Sequence, residues 1–235
     1  MLKPKKKITK KEMKQDTLVT SYAKLTTFYD ANKKYFNYAF TALIIIVVAI
    51  VIYTNNRKAN NEKAATELGK ILPIYEAITN DPAQVKLAIE GLPERGIMGL
   101  KAIVANYGST SSGEIARLYL ANCYLSMGNY DEALKNFDDF DSSNDLLNAS
   151  AKAGLASCYE AKGDFKKAAV EYEKAASIFH NEINTPDYLL SAAICYGKAG
   201  EKEKAVSLLK HLKKEFPKSS NAREADRYIS QFSIS

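Results

Sequence analysis

The sequence predicts an all-α protein in which a single N-terminal transmembrane helix is followed by a solenoid of stacked helix pairs. Three observations carry this expectation. An uncharged, apolar run of membrane length lies near the N-terminus, the C-terminal half repeats itself with a period of about 35 residues, and the basicity is confined to the first 34 positions. The 235 residues carry a formal net charge of +6. Residues 1–34 hold ten lysines against Glu12, Asp16 and Asp30, so the remainder is close to neutral. A near-neutral folded part lacks the basic face that nucleic-acid binding exploits through counterion release, so no nucleic-acid partner is expected.

Taken in chain order, residues 1–15 read as a basic cytoplasmic tail, unstructured over its lysine-rich first 14 residues. Over 16–34, Leu18, Tyr22, Leu25 and Tyr29 recur at i, i+4, i+7 and i+11, the stripe of an amphipathic juxtamembrane helix. Such a helix can rest on lipid or dock a protein, and the spacing does not choose between them. Residues 35–56 contain no formal charge. At about 1.5 Å per residue they span roughly 33 Å, matching a hydrocarbon core of about 30 Å. Tyr35, Phe36 and Tyr38 at one end and Tyr53 at the other make an aromatic belt, with Lys33, Lys34, Arg57 and Lys58 outside it. A cleaved signal peptide is disfavoured, because the basic region is long and Thr54-Asn55-Asn56-Arg57 offers no small-x-small cleavage site. The excess of lysine before the span places the N-terminus in the cytoplasm and the C-terminal domain across the membrane.

Residues 57–107 read as a helical extension of the anchor, ending near Asn80-Asp81-Pro82, followed by a degenerate repeat ending in the helix Gly99 to Tyr107. From 114 to 217 three segments align on a tyrosine: Leu120-Ala-Asn-Cys-Tyr124, Leu155-Ala-Ser-Cys-Tyr159 and Ala192-Ala-Ile-Cys-Tyr196. Gly128, Gly163 and Gly200 follow four residues later, Ala133, Ala168 and Ala205 five further on, and Phe137, Tyr172 and Leu209 four beyond those. Each offset has a physical purpose. Ala121, Ala156 and Ala193 let the first helix of a pair approach its second. The glycine ends that first helix in a left-handed turn, and Asn129 or Asp164 then sits at the N-cap of the second. Phe216-Pro217 closes the third pair. Residues 218–235 supply a cap helix with Ala222, Ala225 and Ile229 as its apolar stripe.

This pattern resembles the tetratricopeptide repeat family, although Arg117, Lys152 and Leu189 stand where that family has tryptophan. The resemblance implies a helical repeat solenoid that works by binding other proteins. It also places Cys123, Cys158 and Cys195 at one small-residue packing position, where they read as buried hydrophobes and not as disulfide partners. The family's groove positions map here to Leu118, Asn122, Leu125 and Ser126, then Ala153, Ser157, Glu160 and Ala161, then Leu190, Ile194 and Lys198. That surface lacks the Lys/Asn clamp with which tetratricopeptide co-chaperones hold acidic C-termini, and it better suits an extended apolar segment or a partner helix.

No catalytic constellation is visible. His180 and His211 have no second ligand at metal spacing, and there is no phosphate loop, G-x-S-x-G or H-E-x-x-H. The expectation is a non-enzyme with no cofactor, no metal and no small-molecule substrate. The overall layout, with Tyr29-Asp30-Ala31-Asn32-Lys33-Lys34 before the span and Asn55-Asn56-Arg57 after it, resembles the bacterial YfgM-like family. That resemblance implies an inner-membrane protein with a periplasmic repeat domain, a scaffold ancillary to the Sec translocon. Its implied partners are a SecYEG-like translocon, a PpiD-like chaperone and exported polypeptides. The alternative is a tether or assembly factor of another envelope complex, in division, secretion or motility.

Overall fold

In a computed structural model of the chain, residues 10–78 and 81–233 are described, with side chains from Thr20 onward. The first nine residues of the expected basic tail, Asn80 of the expected turn and the two C-terminal residues lie outside them. Ten α-helices account for almost all of the described residues. The backbone divides into two units, residues 1–56 and 57–235.

In the first unit the described residues belong to α1, which runs from Lys10 to Glu76 and so begins inside the lysine-rich stretch expected to be unstructured. Among the described residues α1 is the one helix long and apolar enough to cross a membrane, and no residue of its most apolar window is buried within the protein. An all-round apolar surface of this kind has no core to face in water.

The second unit starts with the last turns of α1 and continues through α2 (Pro82–Glu90), α3 (Leu100–Tyr107), α4 (Ser111–Ser126), α5 (Tyr130–Asp138), α6 (Asp145–Ala161), α7 (Phe165–Ile178), α8 (Asn184–Lys198), α9 (Lys202–Glu215) and α10 (Ser220–Ser233). Asp81 caps α2 by accepting the Ala83 amide at 2.9 Å, and Pro82 takes the first helical position, where its missing N–H costs nothing. Between α2 and α3 the sequence expectation needs correction. A small antiparallel hairpin pairs β1 (Gly91–Leu92) with β2 (Ile97–Met98) around a 3-10 turn at Pro93–Arg95. Its strands are two residues long, too short to show an alternating pattern.

From α4 onward the helices form three consecutive antiparallel pairs, and one cap joins the helices of each pair. Gly128, Gly163 and Gly200 have φ of 73°, 79° and 85°. In each pair the residue after the glycine donates its amide to the tyrosine carbonyl at 2.9 Å (Asn129 to Tyr124, Asp164 to Tyr159, Glu201 to Tyr196). The glycine amides bond the carbonyls of Leu125, Glu160 and Gly197 at 3.0, 2.9 and 3.2 Å. This is the Schellman arrangement, and it explains why a glycine recurs at the turn of all three repeats. Asn129 stands at the N-cap of α5 but makes no side-chain cap bond, whereas Asp164 accepts the Lys167 amide at 3.3 Å.

The core is a chain of four linked clusters. Ile71 of α1 packs with Val85, Ile89, Leu100, Ile103, Ala116 and Leu120. Next come Leu118, Ala121, Phe137 and Leu155 across α4, α5 and α6, then Ala156, Ala168, Tyr172 and Tyr196 across α6, α7 and α8. Leu190, Leu209, Leu212, Phe216 and Ala225 close the series beneath α10. Each helix pair packs on its sequence neighbours, the one-dimensional organisation of a repeat solenoid. The cap helix runs to Ser233, one turn beyond the expected stripe, and adds Phe232 to Ala222 and Ala225.

Candidate functional site

The eleven groove positions lie on α4, α6 and α8, the first helices of the three pairs, and their surroundings differ. Leu118 and Leu190 are a correction, because both are core residues, 5% and 8% exposed. Leu118 packs with Ala133 and Phe137, and Leu190 with Leu209 and Phe216, so each faces the second helices of the array. Leu125 and Ile194 are half-buried at the margins of the same two clusters, Ile194 beside Tyr228 and Ile229 of α10. Asn122 is half-buried and donates from Nδ2 to Tyr75 Oη of α1 at 3.5 Å. Tyr75 itself stacks on Tyr119 at 4.4 Å between ring centroids. Asn122 and Ser126 share a cavity of about 360 Å³ with Tyr75, Glu76 and Ile78.

The middle of the surface is held by one polar network. Lys198 Nζ donates to Glu160 Oε1 at 2.8 Å, linking α8 to α6. The Tyr172 hydroxyl lies 2.9 Å from Ser157 Oγ and 3.5 Å from Glu160 Oε2. Ser157 also donates to the Ala153 carbonyl at 3.0 Å. Burial pushes the Tyr172 hydroxyl up to about 12, and the hydrogen bond to Glu160 raises Lys198 above the usual lysine range. Glu160 thus ties the second pair to the third, while Ser126, Ala161 and Lys198 remain exposed. Gly197, one residue before Lys198, is covered by the Phe232 ring of α10.

Cys123, Cys158 and Cys195 are free and buried. Burial pushes their thiols up to about 12, 11 and 12, with Glu160 adding to the shift at Cys195. A thiol held protonated is a packing group, not a nucleophile.

The two histidines converge on one carboxylate. His211 Nε2 is 2.8 Å from Glu215 Oε2, and His180 Nε2 is 3.6 Å from Glu215 Oε1. They border a cavity of about 370 Å³ floored by Ala176, Leu189 and Leu208. Each imidazole addresses a different oxygen of Glu215. Among the described residues no three His, Cys, Asp or Glu side chains are grouped to hold a metal ion. The i, i+4 spacing of His211 and Glu215 was the available sequence signal for half of this cluster.

Stacked antiparallel helix pairs with glycine-closed turns define a helical repeat architecture. Tetratricopeptide repeat models match residues 116–142, 149–179 and 187–219, one for each pair. The chain therefore carries three tetratricopeptide repeats, a protein-interaction motif and not a catalytic one. No curated protein matches the chain.

Proposed function

We propose that this chain is a membrane-anchored scaffold whose repeats hold protein partners beside the bilayer, with residues 1–34 in the cytoplasm and the repeats in the periplasm. The observation that carries the reading is the union of an exposed apolar helix of membrane length with three matched interaction repeats in one chain. The lysine bias ahead of the span supports the orientation. The partner surface is the α4, α6 and α8 face, where Ser126, Ala161 and Lys198 are exposed between the ends covered by Tyr75 and Phe232. Small side chains at Ser126, Ala153, Ser157 and Ala161 let a partner backbone approach closely.

The resemblance to the YfgM-like family supports a finer reading, in which the partners are a SecYEG-like translocon, a PpiD-like chaperone and exported chains. Photocrosslinkers placed at Ser126, Ala161 and Lys198 in intact membranes test it. The expected products are translocon subunits, a membrane-bound chaperone or nascent secretory chains. A single stoichiometric product from a division, secretion or motility complex would replace this partner assignment with the tether reading. A reporter active only outside the cytoplasm, fused after Ser235, is expected to be active, and an inactive, stably made fusion would reverse the orientation.

A further inference from the structure

The exposed face of α1 ahead of the span is the largest feature that the repeats leave unexplained. Between Thr20 and Phe36 every large apolar side chain is exposed: Tyr22, Leu25, Phe28, Tyr29, Tyr35 and Phe36 are between 43% and 74% accessible. They are not scattered around the helix. Written as heptads with Tyr22 at position a, they occupy a, d, g, a, g and a, while Lys24, Asp30, Lys33 and Lys34 fall at c, b, e and f. The rings confirm a shared face, since Phe36 lies 6.2 Å from Phe28 and 5.3 Å from Tyr29 between centroids. The d position between Tyr29 and Phe36 is Asn32, whose Nδ2 donates to the Phe28 carbonyl at 2.8 Å. The same register continues through Ala39, Leu43, Ile46, Ile50 and Tyr53.

Two occupants could cover such a stripe: lipid or another helix. A helix lying on lipid must bend where it meets the crossing segment. Instead α1 is helical without interruption from Lys10 through the whole of residues 35–56. A continuous crossing helix carries Tyr22 and Leu25 away from the hydrocarbon, roughly 15–20 Å beyond Tyr35 at 1.5 Å per residue. The part of the stripe from Tyr22 to Tyr29 then stands in water, where an apolar seam interrupted by one polar core residue is a pattern by which helix pairs fix their register.

We propose that the segment Tyr22–Tyr53 of α1 pairs in parallel with the same segment of a second copy of this chain, with Asn32 facing Asn32 across the seam. The inference rests on the membrane-anchor reading, which gives every copy the same depth and direction and so aligns the two stripes without sliding. The size is adequate. The exposed fractions of Tyr22, Leu25, Phe28 and Tyr29 amount to roughly 500 Å² per copy, so a pair ahead of the span has about 1,000 Å² of apolar surface to bury, near the lower bound for a specific interface. The crossing segment adds left-handed packing at about +20°, the common geometry of membrane helix pairs.

Single-cysteine substitutions in the full chain, oxidised in native membranes, test the pairing. The three native cysteines are buried, so they stay silent in the assay. Leu25→Cys, Tyr29→Cys and Asn32→Cys are expected to give homodimer bands at least about five-fold stronger than Lys24→Cys, Ala31→Cys and Lys34→Cys, which point away from the seam. A flat profile in a chain that resists carbonate extraction would overturn the pairing and leave the anchor standing. Release of the chain by carbonate would overturn both. A seam-dependent band at the mass of a heterodimer would assign the stripe to a different partner and sink the self-pairing.

Discussion

Gly154, in the middle of α6, tests whether the inter-repeat core is as rigid as its geometry implies. A Cβ placed there would lie 2.3, 2.4 and 2.8 Å from Cζ, Cε1 and Cε2 of the Phe137 ring. Carbon atoms prefer about 3.5–4.0 Å, so the ring would have to retreat by more than ~1 Å. It has nowhere to go, because Phe137 is 1% exposed and enclosed by Ala133, Ala151, Leu155 and Cys158. Overpacking against a ring that cannot yield takes the upper part of the usual range, about 2–3 kcal/mol, and exchanging a helical glycine for alanine returns about 1 kcal/mol. Gly154→Ala is therefore expected to destabilise the repeats by about 1–2 kcal/mol, a fall of about 2–8 °C in melting temperature for an array of this size. Far-UV circular dichroism of the detergent-solubilised chain reads it. The companion site calibrates the reasoning. At Gly197 a Cβ would approach Phe232 Cζ even more closely, at 2.1 Å, but Phe232 is half-buried in the last turn of α10 and can swing outward. Gly197→Ala should cost less than half as much. Phe137→Leu, which removes the clashing atoms, should recover about 1 kcal/mol when combined with Gly154→Ala, despite its own packing loss. A Gly154→Ala chain that melts at or above the parent temperature would refute the argument, as would additivity with Phe137→Leu.

Three other outcomes follow from the same coordinates. With thiols pushed up to about 11–12, native protein should label at Cys123, Cys158 and Cys195 far more slowly than an unfolded chain. Native thiolate stays scarce at pH 7 and at pH 9, so native labelling should remain far slower than that of the unfolded chain at both; a thiol-disulfide dye assay with and without denaturant measures this. Thr110 is 2% exposed and its Oγ1 accepts the Gly113 amide at 3.1 Å while donating to the Tyr107 carbonyl at 2.8 Å. Thr110→Val removes the α4 cap and should cost about 1–2 kcal/mol in thermal unfolding, with Thr110→Ser close to neutral. Glu160 and Lys198 are 32% and 45% exposed, so a double-mutant cycle to alanine should return a coupling of only about 0.5 kcal/mol, weakening further in high salt. A coupling several times larger would mean that the pair carries more of the junction between repeats than its exposure allows.

The repeat architecture was legible because local chemistry dictates it. The residue at the left-handed turn must be free of Cβ strain, so Gly128, Gly163 and Gly200 recur at the ends of α4, α6 and α8. The cysteines were legible for the same reason, since one packing position accounts for all three. What failed is what depends on non-local geometry. Leu118 and Leu190 share a repeat offset with the half-buried Ala153, and the placement of α5 and α9 buries them. The hairpin at Gly91–Met98 reads in sequence as punctuation, because Gly91, Pro93 and Gly96 conceal two strands too short to alternate. His180 and His211 meet at Glu215 only because the α7–α8 loop folds over α9, and nothing local to His180 announces that.

The ends of the array bear on how the proposed groove works. At one end α1 supplies the flanking helix, with Ile71 in the core and Tyr75 stacked on Tyr119 and bonded to Asn122. At the other, Phe232 of α10 seals Gly197. Both closures consume positions that an isolated repeat would offer to a ligand, and the Glu160–Lys198 pair spans what lies between. A partner is left with a short surface centred on Ser126, Ala161 and Lys198, enough for one or two turns of helix or a few extended residues. Short contacts bind weakly unless something else raises the local concentration. In the proposed reading, anchoring in the same membrane as the partner does this by confining both to two dimensions. The proposed pairing of α1 would do it again by setting two grooves on one assembly. In the proposed reading, a modest groove on a membrane anchor suits a scaffold whose contacts are weak and reversible.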